Sequence, residues 1–274
     1  MYPGWWEKMT TEQTVLVNQA LMEKFVKLAP HFRSKVRATI NYPNNMVMVL
    51  AYHKNMFKPN FYILGQSYIS VESDRIEGYE LSLSFRTTLA NGLVAIGWGS
   101  SFFRLELKQG KLNIHSSMLN QFEGIFLGEN LNDTNWQKVY VAVNGSHLTL
   151  GVNDRLQAIH PINPDNVNET AFTNTFLGGT PANQNILAKD SPPFIGCFQD
   201  IRVNYGKITE DDIRDNEKVK ENNTEKGCSR TDQCEPNPCG NEGTCEDLWR
   251  EYKCACNRPF LGKSCQYSES LFFL

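Results

Sequence analysis

All eight cysteines of this 274-residue chain lie at or beyond Cys197, and six of them crowd the C-terminal part. Cys234, Cys239, Cys245, Cys254, Cys256 and Cys265 follow the spacing C-x4-C-x5-C-x8-C-x-C-x8-C. So short a segment cannot bury enough apolar surface to fold unaided, and covalent cross-links are the usual substitute. An even number of closely spaced cysteines reads as a disulfide framework, which persists only in an oxidising compartment. The expected location is therefore outside the cell, on the extracellular side of the plasma membrane or secreted. Six cysteines allow fifteen pairings, and spacing alone chooses none of them. Zinc is the competing use of clustered cysteines. Zinc sites favour C-x2–4-C pairs, often with histidine, yet no histidine follows His160 and the C-x-C element fits such a site poorly.

Upstream of the cysteines the pattern has period two. Leu81, Leu83 and Phe85 alternate with polar residues, as do Phe103, Leu105 and Leu107. A turn at Gln109-Gly110 leads into Leu112 and Ile114. Val139, Val141 and Val143 run to Asn144-Gly145, a hairpin signal, and Leu148, Leu150 and Val152 return. Such alternation puts one face of each strand on a core and the other in water, as antiparallel strands do. Many short strands with turns between them predict an all-β fold, a two-sheet antiparallel β-sandwich followed by a small disulfide-rich module.

The formal charge of −3 argues against nucleic acid as a partner, because no basic patch dominates. Residues 1–60 hold eight Lys/Arg against three Asp/Glu, and the remainder 19 against 27. An acidic body suits heparin-like polyanions poorly. No apolar run is long enough to span a bilayer, and the N-terminus lacks the basic and apolar regions of a signal peptide. Disulfides without an export signal lead to the expectation that this chain is a piece of a longer protein, tied to a membrane only through a segment not in this sequence.

The cysteine-rich segment resembles an epidermal growth factor-like (EGF) module, down to Asn241-Glu242-Gly243 before the third cysteine and Phe260-Leu261-Gly262 before the sixth. That resemblance implies first–third, second–fourth and fifth–sixth pairing: Cys234–Cys245, Cys239–Cys254 and Cys256–Cys265. The middle of the chain looks like a laminin G-like domain of the concanavalin type. Its signatures run in order: Tyr68-Ile69-Ser70-Val71, Leu83-Ser84-Phe85-Arg86-Thr87, Gly92 to Gly97, Phe103 to Leu107, Asn132 to Trp136, Phe176 to Thr180, and Phe194 to Val203. In that family the cysteine of the Gly-Cys strand pairs with one near the domain end, which implies Cys197–Cys228. The implied organisation is an unassigned segment over 1–60, a laminin G-like domain over 61–228, an EGF-like module over 229–268 and a tail over 269–274. Within 1–60, Thr10-x-x-Gln13 resembles a capping box, and an apolar stripe from Val15 to Leu28 predicts a helix ended by Pro30.

Several candidate sites follow. Calcium-binding EGF modules begin D/N-x-D/N-E/Q-C and carry C-x-D/N-x4-Y/F-x-C. Asp232, Gln233 and Asp247 fill three of those places, but Arg230 stands where the leading acid belongs, removing an oxygen and adding repulsion. At most weak calcium is expected there, and no other cofactor. At the sandwich rim, Ser100-Ser101 replaces the aspartate that calcium-binding laminin G-like domains place before their Phe-x-Leu-Glu-Leu strand, so a metal-free rim is expected. Sequons at Asn132, Asn144, Asn168 and Asn222 predict N-linked sugar, with Asn144 handicapped by its place in the hairpin turn. Thr244 resembles the O-fucose acceptor, whereas Pro236 breaks the O-glucose pattern. A glycosidase reading of Glu72-x-Asp74-x-x-Glu77 meets Ser73 and Arg75 where such enzymes have apolar residues, so a charged turn is expected and no catalytic residue.

Laminin G-like domains followed directly by EGF modules occur in Crumbs, neurexin, agrin, Slit and perlecan ectodomains. Trp249 and Tyr252, with the linker Gly227-Cys228-Ser229-Arg230-Thr231-Asp232-Gln233-Cys234, resemble those of Crumbs proteins. That resemblance implies a non-enzymatic extracellular module in apical epithelial polarity and cell–cell contact, partnered by other ectodomains or glycans. The alternative is a matrix or synaptic protein of the agrin, neurexin or Slit type that binds ligands at its rim.

Overall fold

The structure, a computed structural model, describes residues 37–41, 47–51, 60–74, 78–119, 124–162, 172–182, 188 and 191–268. The chain divides into two units, Met1–Phe57 and Lys58–Leu274. In the first, β1 (Arg37–Asn41) pairs antiparallel with β2 (Val47–Ala51). This hairpin falls in the segment for which the sequence implies no domain; the helix expected over Val15 to Leu28 lies outside the described residues.

The second unit begins with two antiparallel sheets. One has eight strands. Its main path runs β12 (Leu156–Pro161), β11 (His147–Val152), β10 (Gln137–Asn144), β5 (Tyr79–Arg86), β14 (Ile195–Val203), β3 (Asn60–Leu64) and β17 (Glu225–Lys226), and β15 (Gly206–Lys207) pairs with β14. The other has seven strands. They are, in order, β16 (Val219–Asn222), β4 (Tyr68–Glu72), β13 (Phe172–Leu177), β6 (Gly92–Gly99), β7 (Phe102–Lys108), β8 (Lys111–Ser116) and β9 (Ile125–Leu127). One short helix, α1 (Glu210–Asp215), joins β15 to β16; Thr209 and Asp212 close a reciprocal capping box at its start.

Alternation decides which face is buried. Val139, Val141 and Val143 of β10 lie opposite Val152, Leu150 and Leu148 of β11, and all six are buried. The buried faces of both sheets merge into one apolar cluster, so this is a sandwich. Each fully buried large side chain in such a core contributes about 1.5–3 kcal/mol relative to exposure. Tyr79, Phe103 and Phe172 tie the sheets together, with ring centroids 4.8–5.4 Å apart. Burial raises the Tyr79 phenol well above its ordinary pKa, and its hydroxyl pairs with Thr175 Oγ1 at 2.9 Å. Gly97 is required beside this cluster, because a Cβ there would lie 2.2 Å from the Phe103 ring. The turn at Gln109-Gly110 has both residues at positive φ, as a type I′ hairpin demands.

The C-terminal module contains two small hairpins, β18 (Thr244–Asp247) with β19 (Tyr252–Ala255), and β20 (Phe260–Leu261) with β21 (Tyr267–Ser268). Four disulfides are present: Cys197–Cys228, Cys234–Cys245, Cys239–Cys254 and Cys256–Cys265. Their Cα separations of 5.3–5.8 Å lie in the ordinary range for the bond. So little of the module is buried that only Gly243, Trp249 and Cys265 are shielded from solvent among its described residues, which leaves the cross-links as its framework.

Candidate functional site: the module junction and the β6–β7 turn

Trp249 sits in the turn between β18 and β19, yet it is 1% exposed. It reaches that burial by packing on the sandwich. Its ring lies 6.1 Å from that of Tyr62 on β3, in a cluster that includes Cys197 and the partly buried Leu64, Leu89, Trp136, Ile195 and Cys228. The Cys197–Cys228 bridge therefore lines the surface on which the C-terminal module docks. Arg250 spans the same seam. Its guanidinium lies 4.6 Å over the Tyr62 ring, donates from Nε to Tyr62 Oη at 3.3 Å, and reaches Glu225 Oε2 at 2.8 Å. The Arg250–Glu225 pair is exposed and contributes little by itself; the buried aromatic contact supplies most of the docking. Trp136 and Trp249 belong to separate sequence motifs, and the fold brings them to one cluster.

The three residues expected to bear on calcium surround the same turn. Asp247 Oδ2 accepts from Arg230 Nη2 and from the Gln233 backbone N–H, and Oδ1 accepts the Trp249 backbone N–H at 2.7 Å. Asp232 Oδ1 accepts the Cys234 N–H at 2.9 Å, and Gln233 Nε2 donates to the Thr231 carbonyl. Calcium needs six to eight oxygens around one point. Here a guanidinium occupies the aspartate that such an ion would use, so these residues do not fit calcium.

At the sandwich rim, β6 and β7 are joined by a short turn through Ser100 and Ser101. Trp98 and Phe102 face each other across it, ring centroids 6.4 Å apart, 38% and 36% exposed. Ser101 is buried. The Glu72/Asp74 pair is exposed and neutralised: Lys220 Nζ lies 3.2 Å from Glu72, and Lys218 Nζ 2.7 Å from Asp74. Glu77 lies outside the described residues. Two acids each committed to a lysine do not form a nucleophile–acid pair.

The sequons differ in environment. Asn132 Nδ2 donates to the Thr88 carbonyl at 3.0 Å. Asn144 is exposed and uses Oδ1 to accept from the His147 N–H at 2.9 Å. Asn222 is exposed at the end of β16, opposite Tyr68. Asn168 lies outside the described residues. Thr244 is exposed at the start of β18.

Residues 85–206 match the family model for the laminin G domain, and residues 234–264 that for the EGF-like domain. This chain carries a laminin G domain followed by an EGF-like domain. The laminin G domain shares its fold with the LG1–3 region of the laminin α2 chain (TM-score 0.54, 15% identity, 70% of this chain and 39% of that one). It also resembles domains LG4–5 of the mouse laminin α1 chain (TM-score 0.50, 16% identity, 74% and 53%). Among curated proteins it is similar to mouse protein crumbs homolog 1, 30% identical over 202 residues, 68% of this chain and 14% of that protein. Human protein crumbs homolog 2 is 29% identical over 194 residues, again 68% and 14%. The human cadherin EGF LAG seven-pass G-type receptor 2 is 28% identical over 195 residues, 68% and 6%. The chain thus corresponds to a small part of the length of these relatives. Laminin G and EGF-like domains are extracellular interaction modules, and four disulfides fit that compartment.

Proposed function

We propose that this chain is the part of a Crumbs-like ectodomain that makes contacts at the apical surface of epithelia, without enzymatic activity. The observation that carries the reading is the joint itself. Trp249 of the EGF-like domain is buried on Tyr62 and the Cys197–Cys228 bridge of the laminin G domain, so the two domains form one stiff arm. An arm of that kind holds the far rim of the sandwich at a set distance and angle from whatever follows. The proposed contact is the β6–β7 turn, where Trp98 and Phe102 expose adjacent aromatic surface. The partner is another ectodomain or a glycan displayed on one.

A chimera tests this reading. The corresponding segment of mouse protein crumbs homolog 1 is replaced by this chain, and the hybrid is expressed in polarised epithelial cells that lack the native protein. Apical enrichment and restored cell contacts are expected, and a Trp98→Ala/Phe102→Ala version should reach the surface without restoring contacts. A hybrid indifferent to that double substitution would remove the rim from the mechanism. Tight binding of the isolated chain to a matrix glycan on an array, with no apical function, would favour the agrin- or neurexin-like alternative.

A further inference from the structure

Arg230 lies in the linker between Cys228 and Cys234, where calcium-binding relatives of the EGF-like domain would carry an acid. A charged side chain in an interdomain linker is ordinarily solvated. This one is not: its side chain is 9% exposed, and that of its partner Asp247 14%. The guanidinium is ion-paired to Asp247 on one side and lies 4.9 Å from the centre of the Trp249 ring on the other. Asp247 in turn accepts the Trp249 N–H through its other oxygen, at 2.7 Å. Trp249 needs that restraint, because its backbone is left-handed, with φ 78°. A bulky residue avoids that region unless its surroundings hold it there. Held so, the indole points at Tyr62 and the Cys197–Cys228 bridge.

A chain of contacts thus runs from the linker through Asp247 and Trp249 into the laminin G domain, and its first member is a cation supplied by the protein. We infer that the Arg230 guanidinium is a built-in replacement for a metal ion, which locks the EGF-like domain onto the laminin G domain whether or not calcium is present. The chemistry suits the task. A guanidinium is charged at every physiological pH, presents planar donors to a carboxylate and stacks on an aromatic face, which an ammonium does less well. It also excludes the ion it replaces, since a divalent cation at Asp247 would meet a positive charge already in place. Arg230 is a positioning residue here: it touches no partner, and it acts through Asp247 on Trp249.

The same pattern supplies the test. Arg230→Asp restores the acid that the calcium-binding sequence lacks, next to Asp232, Gln233 and Asp247. The full disulfide-bonded chain is titrated with calcium chloride by calorimetry. Melting temperature, the near-ultraviolet circular dichroism of the tryptophans and the maximum dimension in solution scattering are read in calcium and in chelator. The wild type is expected to take up no calcium and to give identical curves in both. Arg230→Asp is expected to bind calcium, to melt lower and extend further in chelator, and to recover the compact dimension when calcium is added. Arg230→Lys, which keeps the charge without the plane, should lie between the two in chelator. Calcium-dependent compaction of the wild type would overturn the inference. So would an Arg230→Asp chain that stays compact in chelator, or one that opens and is not rescued by calcium. If Arg230→Asp is not secreted, the wild-type titration and Arg230→Lys still decide: a lysine variant as compact and as stable as the wild type would sink the guanidinium's special role.

Discussion

Tyr62 and Trp249 come from different domains and lie with ring centroids 6.1 Å apart at an interplanar angle of 50°. Nearly all of the indole surface is withdrawn from water. Its Nε1 has no hydrogen-bond partner among the described residues, so the ring is held by packing and by the Arg230 guanidinium against its face, not by a hydrogen bond of its own. Truncating a buried aromatic of this size costs about 3–5 kcal/mol. Trp249→Ala should therefore destabilise the chain by that order in urea unfolding, and the loss should fall on the joint. Limited proteolysis between Cys228 and Cys234 is expected to become rapid, while the laminin G domain stays resistant. Equal protease resistance of mutant and wild type would mean that the domains are held together by something other than this contact.

The Cys197–Cys228 bridge closes a loop with a sequence separation of 31 and also forms part of the surface under Trp249. Loop-closure entropy alone gives about 3–4 kcal/mol for a ring of that length. The double replacement Cys197→Ala/Cys228→Ala should lose at least that much in denaturant unfolding. It should also raise the fluorescence accessibility of Trp249 to a soluble quencher before the global transition. A loss equal to the entropic value with no change in quenching would separate the bridge from the docking surface.

Sugar attachment should discriminate among the described sequons. Oligosaccharide transfer takes the asparagine nitrogen, and Asn132 already spends that nitrogen on the Thr88 carbonyl in a half-buried turn. Asn144 instead engages its oxygen, which leaves the nitrogen outward, and Asn222 is exposed on β16. Peptide mapping after enzymatic deglycosylation in isotope-labelled water is expected to mark Asn144 and Asn222 and to spare Asn132. Full occupancy at Asn132 would show that the chain is modified before this turn forms. Asn132→Gln should lower stability even in unglycosylated protein, by the roughly 1 kcal/mol of one hydrogen bond.

What could be read from sequence is uneven, for a physical reason. Val139, Val141 and Val143 announce a half-buried strand because a two-residue period is local, and the hairpin register follows from a turn a few residues away. The joint is different. Arg250 meets Tyr62 across a sequence separation of 188, and no local pattern encodes that contact. Arg230 is instructive: as a residue in a motif it counts only as a missing calcium ligand with the wrong sign. Its value lies in a buried pair with Asp247 that exists only once the linker has folded back on the domain. Asp74 and Glu72 show the converse, since their acidic spacing suggests chemistry until Lys220 on the neighbouring strand β16 and Lys218 in the turn just before it are seen to neutralise them.

Acid should weaken the sandwich through His115. This residue lies on the face of β8 turned away from the core, directly opposite Arg104 on β7. Burial lowers its pKa below the ordinary 6.5, and the neighbouring charges of Arg104 and Lys108 lower it further, against an opposing pull from Glu106. A histidine that resists protonation when folded binds the proton more readily once unfolded. Its stabilising contribution is thus fully present above the ordinary histidine value and is lost as pH falls from there through the depressed value in the native state. The urea midpoint is expected to decline as pH falls below the ordinary histidine value of about 6.5, ahead of carboxylate titration. His115→Gln should flatten that part of the curve while leaving the steeper fall at lower pH, where Asp133 contributes. Burial alone would raise the Asp133 carboxyl, but hydrogen bonds from the Asn135 side chain and backbone, and from Gln137, outweigh it and hold the pKa below the usual aspartate value. Its contribution therefore persists to lower pH than that of His115 and is lost only as the depressed value is crossed. An unchanged midpoint for wild type across the upper window, or an unchanged slope in the variant, would remove His115 as the source.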